Sequence, residues 1–320
     1  MEETIAIGLD VGGTTIKAGL VRRDGTLIRH AAFDTRAAQG PDAVIERIAE
    51  AIRSLLDGGE PVASIGLGVP GVVNNRGEIS YPPNFPGWGV VNVAERLRPH
   101  LPAQLPIVVE NDANVAAYAE ARAGTGSSDQ DFLFITLGTG VGGCIISGGN
   151  IWRGATGGAG EVGHVSIDIN GPLCNCGARG CIEAYIGHRY MATEAARRLE
   201  RDPDSLLHAM IAAGKELDPK LVDEAAVAGD MFAREFLAEM GTLLGAALAS
   251  MVNMTDMHLV IVGGGLSHAE KYLLGPARRS LQLRAIKSIS LDVELRVARF
   301  SNDAGMIGAG LLSLVLTGTV

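Results

Sequence analysis

Three cysteines and one histidine occur close together in the chain, as His164, Cys174, Cys176 and Cys181. Thiolate sulfur and imidazole nitrogen are the ligands of tetrahedral Zn²⁺, and four protein ligands are typical of a closed, structural site. The alternative is three unpaired thiols and a surface histidine. The spacing favours zinc, and the fourth cysteine, Cys144, lies in an apolar run that predicts a core residue.

Two glycine-rich turns each separate two apolar runs, at residues 10–15 and 138–143. Glycine reaches positive φ cheaply and has no side chain, so such turns can present backbone N–H groups to a phosphate. Asp10 could hold a hydrated Mg²⁺ there, and Thr14 offers a hydroxyl. Either turn alone could be an ordinary tight hairpin. Both turns, with the glycine run 263–265 after another apolar run, favour a nucleotide site.

The usual nucleotide-binding patterns are missing from the sequence. It contains no G-x-x-x-x-G-K-[ST] loop, and no G-x-G-x-x-G that follows a strand and opens a helix. A different architecture must therefore supply the site.

Glu110, Asn111 and Asp112 come where a predicted strand meets a predicted helix. Catalytic groups often lie at that position in open α/β sheets, and a carboxylate there can accept a hydroxyl proton during phosphoryl transfer. The alternative is a helix cap, for which Asn and Asp are favoured.

Two further carboxylates, Glu161 and Glu183, lie on either side of the cysteine cluster in the sequence, and Glu161 is three residues from His164. Such a set suits a sugar, whose hydroxyls each need a donor or acceptor. A solvated polar rim is the alternative.

The apolar pattern predicts an α/β protein. It indicates a hairpin over 5–21, a strand from Thr26, and strands at 65–69, 107–110, 132–137, 144–147, 258–262 and 293–298. It also indicates helices at 41–56 and 112–123, a helix-rich region over 189–252, and a terminal helix from 304 onward. The recurrence of strand, glycine turn and strand suggests two related halves.

Length and composition agree with a globular protein of two lobes. The chain has 320 residues, 47% hydrophobic and 20% charged, with 43 glycines that predict many close backbone approaches. The net charge of −9 argues against a nucleic-acid partner. The sequence starts without a signal-peptide pattern, which predicts a cytoplasmic protein. The apolar segments 243–252 and 304–316 are shorter than the ~20 residues of a membrane span, so we expect buried helices and no membrane partner.

The motifs LDVGGTTIKAGL, PPNFPGW, VENDANVAA, TLGTGVGG, GEVGH and CNCGARGCIE occur in this order over almost the whole chain. Together they resemble the ROK family of bacterial sugar kinases and sugar-responsive repressors, in its zinc-containing branch. The resemblance implies a two-lobed, ribonuclease-H-like α/β fold of the actin and hexokinase superfamily. We expect a small lobe of residues 1–109 with the C-terminal helix 304–320, and a large lobe of residues 110–303, closing on ATP and sugar.

The resemblance also implies roles for individual residues. Asp112 resembles the base that takes the proton of the sugar hydroxyl, and His164 would bind zinc with one ring nitrogen and face the sugar with the other. The sugar-binding residues it implies are Asn84, Asn111, Asp112, Glu161, His164 and Glu183. The implied cofactor-binding residues are Asp10, Gly12, Gly13, Thr14, Gly138 and Thr139 for the phosphates and Mg²⁺, and Gly264 and Gly265 near the adenosine. For Lys17, a phosphate contact and a solvated strand lysine both stay open.

The expected activity is transfer of the ATP γ-phosphoryl group to the 6-hydroxyl of glucose. N-acetylmannosamine, N-acetylglucosamine, fructose or allose as acceptor, and polyphosphate as donor, remain alternatives. A sugar sensor without turnover is the hypothesis from another class. Only nine residues precede Asp10, which is too few for a DNA-binding helix-turn-helix, so catalysis is favoured. A homodimer or homotetramer is expected from the family.

Overall fold

Apolar runs near the N-terminus form a five-stranded sheet in the computed structural model, which describes residues 4–80, 82 and 85–318. The strands of this region are β1 (Ile5–Val11), β2 (Thr15–Arg22), β3 (Leu27–Asp34), β4 (Val62–Val69), β5 (Glu78–Ser80), β6 (Val90–Asn92) and β7 (Ile107–Asn111). The sheet order is β3-β2-β1-β4-β7, and β5 pairs with β6. The predicted first hairpin is confirmed, since β1 and β2 are antiparallel.

The chain is divided into two compact units. The first contains the residues up to Gln130, Cys144–Gly160 and the residues from Arg299 on, and the second contains Asp131–Gly143 and Glu161–Ala298. The first unit has the helices α1 (Pro41–Leu56), α2 (Val93–Leu97), α3 (Asp112–Ala123) and α11 (Ala304–Leu316), numbered along the chain. The sequence predicted the bounds of α1 and α3, because Pro41 stands at the first position of α1 and Gly124 follows α3.

Helix α11 packs directly on the first sheet through glycines. A Cβ atom at Gly8 of β1 would lie 1.9 Å from the Met306 oxygen, and one at Gly66 of β4 would lie 1.9 Å from the Ala309 oxygen. Only glycine allows so close an approach of two backbones. The close approaches expected from the glycine content are thus present.

The unit boundaries differ from the lobe boundary expected at residue 110. Helix α3 belongs to the first unit because it packs against α11: a Cβ atom at Gly308 would lie 1.7 Å from the Val115 oxygen. Asp112 is therefore part of the first unit and not of the second.

A parallel arrangement of three strands forms the centre of the second unit. The strands of this part of the chain are β8 (Phe132–Leu137), β9 (Val141–Ser147), β10 (Asn150–Ile151), β11 (Leu259–Gly263) and β12 (Glu294–Val297). Strand β11 runs parallel to β8 on one side and to β12 on the other. The chain enters the first unit within β9, whose end pairs with β10.

Seven helices among the described residues belong to the second unit. They are α4 (Glu183–Ile186), α5 (His188–Leu199), α6 (Leu206–Ala212), α7 (Pro219–Ala228), α8 (Met231–Thr255), α9 (Gly275–Arg284) and α10 (Lys287–Ser290).

Helix α8, with 25 residues, is the one described helix long and apolar enough to cross a membrane by length and composition. The helix is longer than the apolar segment 243–252 found in the sequence, because it also includes a first half that carries charged residues. Most of its apolar window is buried, and Cβ atoms at Gly241 and Gly245 would lie 2.1 and 2.2 Å from the Leu273 and Ala277 oxygens. Helix α8 is therefore buried in the way that is typical of a core helix.

Candidate active site

The first glycine turn joins β1 to β2 and is held by hydrogen bonds from Thr35, a residue outside the turn. Gly12 N donates to the Thr15 oxygen at 3.0 Å, Thr35 Oγ1 donates to the Gly12 oxygen at 2.7 Å, and Thr35 N donates to the Thr14 oxygen at 2.9 Å. None of the described residues accepts a hydrogen bond from the N–H groups of Gly13 or Thr14. These donors can therefore serve an anion. The sequence did not point to Thr35, which lies twenty residues further along the chain.

Asp10, near the end of β1, is half-buried and comes directly before this turn in the chain. Burial raises the pKa of its carboxyl group, and the positive charge of Lys17, its cross-strand neighbour on β2, lowers it to a smaller extent. The first turn of α11 lies against it, since a Cβ atom at Gly305 would be 2.7 Å from Asp10 Cγ. A half-buried carboxylate near N–H groups that donate to no described residue is a suitable ligand for a hydrated Mg²⁺.

Lys17 does not stand free in solvent on its strand. Its Nζ donates to the Asn302 oxygen at 2.9 Å, in the short 3₁₀ turn 301–303 that precedes α11. The lysine therefore holds the start of α11 beside Asp10.

Asp112 is the first residue of α3, and Asn111 is its N-cap. The Asn111 side-chain oxygen accepts from Asn114 N at 3.0 Å, and its amide group donates to the Gly71 oxygen at 3.0 Å. Asp112 is half-buried, and one carboxylate oxygen accepts from Ala113 N at 2.8 Å. The capping alternative is thus realised by Asn111, and Asp112 is the half-buried first residue of the helix.

The second glycine turn, in the second unit, joins β8 to β9. Gly138 N donates to the Gly140 oxygen at 3.0 Å, while the exposed Thr139 lies at the tip. Strand β9 begins at Val141, three residues before the predicted start. A carboxylate oxygen of Glu183 accepts from Val141 N at 2.9 Å, so this turn is held by one of the predicted sugar-binding residues.

Glu161, His164 and Glu183 lie close together in the second unit. Glu161 Oε2 is 4.0 Å from His164 Nε2, while His164 Nδ1 is 3.7 Å from Cys174 Sγ. Burial and then the nearby Glu183 charge raise the pKa of Glu161, and His164 opposes this shift. The two ring nitrogens of His164 thus face two different groups, a carboxylate and the cysteine cluster.

The four atoms of the predicted metal site, from His164, Cys174, Cys176 and Cys181, lie within 4.8 Å of one another. Cys176 Sγ and Cys181 Sγ are 3.6 Å apart. Zn–S bonds of about 2.3 Å in a tetrahedron place sulfur atoms roughly 3.7 Å apart, so the cluster fits Zn²⁺. The Ala178 N–H lowers the pKa of the Cys176 thiol, whereas burial raises the pKa of the Cys174 and Cys181 thiols, so the fit to a metal rests on the positions of the four atoms.

The glycines predicted near the adenosine follow β11. Gly264 has φ +82°, and a Cβ atom there would lie 2.3 Å from the Leu137 oxygen at the end of β8. Gly265 begins a 3₁₀ turn, and a Cβ atom there would have no described atom within 4 Å. Gly264 is therefore needed for packing beside the second glycine turn, while the space at Gly265 is open.

Each unit brings together its own share of the predicted residues. The first unit holds Asp10, Gly12, Gly13, Thr14, Asn111 and Asp112, and the second holds Gly138, Thr139, Glu161, His164, Glu183, Gly264 and Gly265 with the cysteine cluster. Asn84 lies outside the described residues.

A family model described as the ROK family matches residues 6–315. The chain belongs to the ROK family. Among curated relatives of this ROK protein, a glucokinase of Thermotoga maritima is 34% identical over 304 residues, covering 95% of each chain. An N-acetylmannosamine kinase of Escherichia coli is 31% identical over 311 residues, covering 96% of this chain and 97% of that protein.

Solved structures include a ROK family glucokinase from Streptomyces griseus in complex with glucose and AMPPNP. It has a TM-score of 0.85 and 32% identity, over 97% of this chain and 99% of that one. The actin-like, hexokinase-type α/β fold implied by the motifs is thereby confirmed for this ROK chain.

Proposed function

We propose that this chain is a glucokinase that transfers the γ-phosphoryl group of ATP to the 6-hydroxyl of glucose. The observation that carries the proposal is the half-buried Asp112 carboxylate at the start of α3, beside the fixed amide of Asn111. Glucokinases among the relatives, and the S. griseus glucokinase with glucose and AMPPNP, support glucose and ATP.

In this mechanism Asp112 accepts the proton of the 6-hydroxyl as the sugar oxygen attacks the γ-phosphorus. The new O–P bond forms while the bond from the γ-phosphorus to the β,γ-bridging oxygen breaks, and ADP leaves with the electron pair. The proton on Asp112 then passes to solvent. Asn111, Glu161, His164 and Glu183, with Asn84 by resemblance, would orient the sugar hydroxyls.

The two glycine turns would bind the ATP phosphates through backbone N–H groups, and Gly264 and Gly265 would lie near the adenosine. Asp10 would hold Mg²⁺, which when bound neutralises charge on the phosphates. The thiolates of Cys174, Cys176 and Cys181 with His164 would hold a structural zinc ion. The zinc would fix the orientation of the His164 ring, so that its other nitrogen faces the sugar.

The N-acetylmannosamine kinase relatives favour a second candidate, the same transfer to an N-acetylhexosamine. The four cysteines form no disulfide, and a thiol cluster suits a reducing compartment, so we propose that the protein acts in the cytoplasm. We also propose a homo-oligomer without nucleic-acid or membrane partners, as expected for the family.

The test is ADP release from Mg-ATP over a panel of hexoses and N-acetylhexosamines, compared by kcat/KM. The highest value is expected with glucose. Asp112→Asn should lower kcat by about 10²–10⁴-fold, because the amide cannot accept the proton. Its oxygen can still accept from Ala113 N, so the melting temperature should stay close to that of the wild type.

Preference for an N-acetylhexosamine would replace the substrate and keep the mechanism. Undiminished kcat in Asp112→Asn would refute the assignment of the base. Absence of turnover with every sugar, combined with measurable glucose binding, would make the protein a sensor.

A further inference from the structure

Glu110 is a buried carboxylate, 4% exposed, at the end of β7 and two residues before Asp112. Three groups donate to it. Asn111 N and Asn114 Nδ2 each donate to Oε1 at 2.9 Å, and Arg153 Nε donates to Oε2 at 2.7 Å. All of these residues belong to the first unit. The carboxylate is therefore fully engaged by the protein itself.

The first oxygen of Glu110 fixes the junction between β7 and α3. Its two donors, Asn111 N and Asn114 Nδ2, lie on either side of Asp112 in the chain. Asn114 is 3% exposed and also donates its backbone N–H to the Asn111 side chain. A shift of Glu110 would consequently move the cap, the amide of Asn111 and the first turn that carries Asp112.

The second oxygen of Glu110 ties this junction to Arg153, which is 43 positions away in sequence. The Arg153 carbonyl accepts from Ala159 N at 3.2 Å, which closes the loop 153–159. Within that loop, the Ala155 oxygen accepts from Asn75 Nδ2 at 3.2 Å. The loop is followed in the chain by Glu161, another predicted sugar-binding residue.

The charge of Arg153 is needed because the surroundings of Glu110 are poor in solvent. Burial, and then the negative charge of Glu110, raise the pKa of the neighbouring Cys144 thiol far above its usual value, so that this neighbour stays neutral. A buried carboxylate without a cationic partner is strongly disfavoured and would move or take up a proton.

We propose that Glu110 and Arg153 are a positioning pair for phosphoryl transfer, which holds Asn111 and Asp112 in the geometry that the sugar hydroxyl requires. The inference rests on the proposed kinase function. The side-chain hydrogen bonds of Glu110 described above go to Asn111, Asn114 and Arg153, all within the first unit. We therefore expect the pair to act on the sugar side of the reaction and to leave ATP recognition unchanged.

The test compares Arg153→Met, Arg153→Lys and Glu110→Gln with the wild-type protein and a matched control, Arg29→Met. Arg29 belongs to the same unit, pairs with Glu60 at 3.1 Å and donates to the Leu55 oxygen at 2.8 Å, away from the junction. For each variant we would measure melting temperature, kcat, KM for ATP, and the Kd of glucose by calorimetry without nucleotide.

Arg153→Met should lower kcat by about 10–100-fold, because a misplacement of about 1 Å in reacting groups can cost 10²-fold. Its glucose Kd should rise by at least about threefold, while its KM for ATP stays within about twofold. Arg153→Lys, which keeps the charge, should recover most of the lost kcat. Arg29→Met should keep kcat within about twofold.

A folded Arg153→Met with kcat and glucose Kd within twofold of the wild type would overturn the proposal, since a merely structural pair would alter only the melting temperature. If Arg153→Met does not fold, Glu110→Gln decides: it retains the shape and one acceptor oxygen, and a wild-type kcat in that variant would refute positioning. A wild-type chain without kinase activity would instead overturn the proposed function and, with it, this role.

Discussion

The Asp10 carboxylate lies where a negative charge is hard to maintain in the protein alone. It is half-buried near the end of β1, with the first turn of α11 against it and Lys17 as its cross-strand neighbour. Burial raises its pKa, which means that the ionised form destabilises the folded chain. A bound Mg²⁺ ion would compensate this charge, so the carboxylate would lower the stability of the metal-free protein and favour metal binding.

Replacing Asp10 by Asn should therefore raise the melting temperature of the nucleotide-free protein at pH 7. The same change should lower kcat/KM for Mg-ATP by about 100-fold or more, because the metal ligand is lost. Calorimetric melting and steady-state kinetics would check the two effects. An unchanged kcat/KM would show that Asp10 is not a ligand of the metal.

The pH dependence of this difference has a defined sign. A raised folded-state pKa contributes stability that is fully present below the unfolded value, near 3.8, and is lost as the pH rises through the folded value. The advantage of Asp10→Asn should thus be largest at neutral pH and shrink as the pH falls through the raised pKa. An advantage independent of pH would refute this explanation.

At the scale of elements, the cysteine-rich segment is a small loop structure that depends on few apolar contacts. Its bridges pair Ser166 with Cys181 and Leu173 with Arg179, and two of the four ligands are exposed. Neighbouring side chains such as Ile169 and Leu173 are themselves largely exposed. In small zinc-dependent folds, a bound metal ion supplies the order that so few apolar contacts cannot.

Cys176→Ala should reduce bound zinc from about one ion per chain toward zero. Because Cys176 is exposed, the change removes a ligand with little loss of packing. The melting temperature should fall, and the glucose Kd should rise by about tenfold or more, since the His164 ring loses its anchor. Elemental analysis and calorimetry would measure these quantities.

Cys144→Ala is the matched control, because Cys144 is a buried cysteine outside the cluster. It should keep one zinc per chain. A zinc-free Cys176→Ala with wild-type glucose affinity would separate the metal from the sugar site.

At the scale of the whole molecule, neither compact unit is a continuous segment. The chain changes unit after residues 130, 143, 160 and 298, and the last segment brings α11 back to the first sheet. Helix α11 contributes five large buried side chains, those of Met306, Ile307, Leu311, Leu312 and Leu314. The first unit is therefore completed only by the end of the chain.

A chain that ends at Ala298 should fail to fold. Five buried side chains at about 1.5 kcal/mol each contribute roughly 7 kcal/mol, which is comparable with the whole stability of a typical domain. Circular dichroism and size-exclusion chromatography would check this outcome against a chain ending at Thr317, which retains α11 and should fold. A cooperative melting transition in the shorter chain would contradict the prediction.

Local sequence signals predicted much of this architecture. Helices α1 and α3 have the predicted bounds because a proline, a cap residue and a glycine mark their ends. Strand β4 begins at Val62 and not at Ile65, since pairing with β1 extends it beyond its most apolar part. The length of α8 was missed because its charged first half does not appear in an apolar count.

Placement could be predicted where one motif contains all the residues concerned, as for the cysteine cluster and for Asn111 and Asp112 at the start of α3. Thr35 and Arg153 could not be found in this way. They act on motifs 20 or more positions away, and an isolated threonine or arginine gives no signal of its partner. The compact units depart from the boundary expected at residue 110 for the same reason, because the packing of α3 on α11 is decided by residues at the far end of the chain.

The position of Glu183 has a consequence for redesigning the choice of acceptor. One of its oxygens accepts from Val141 N and the other is 3.7 Å from Cys174 Sγ, so a single side chain contacts both the second glycine turn and the cysteine cluster. A mutant library that randomises Glu183 would therefore yield mostly damaged proteins. Substitutions intended to change the acceptor sugar should be made at residues that contact only one of these two parts, and Glu183 should be left unchanged.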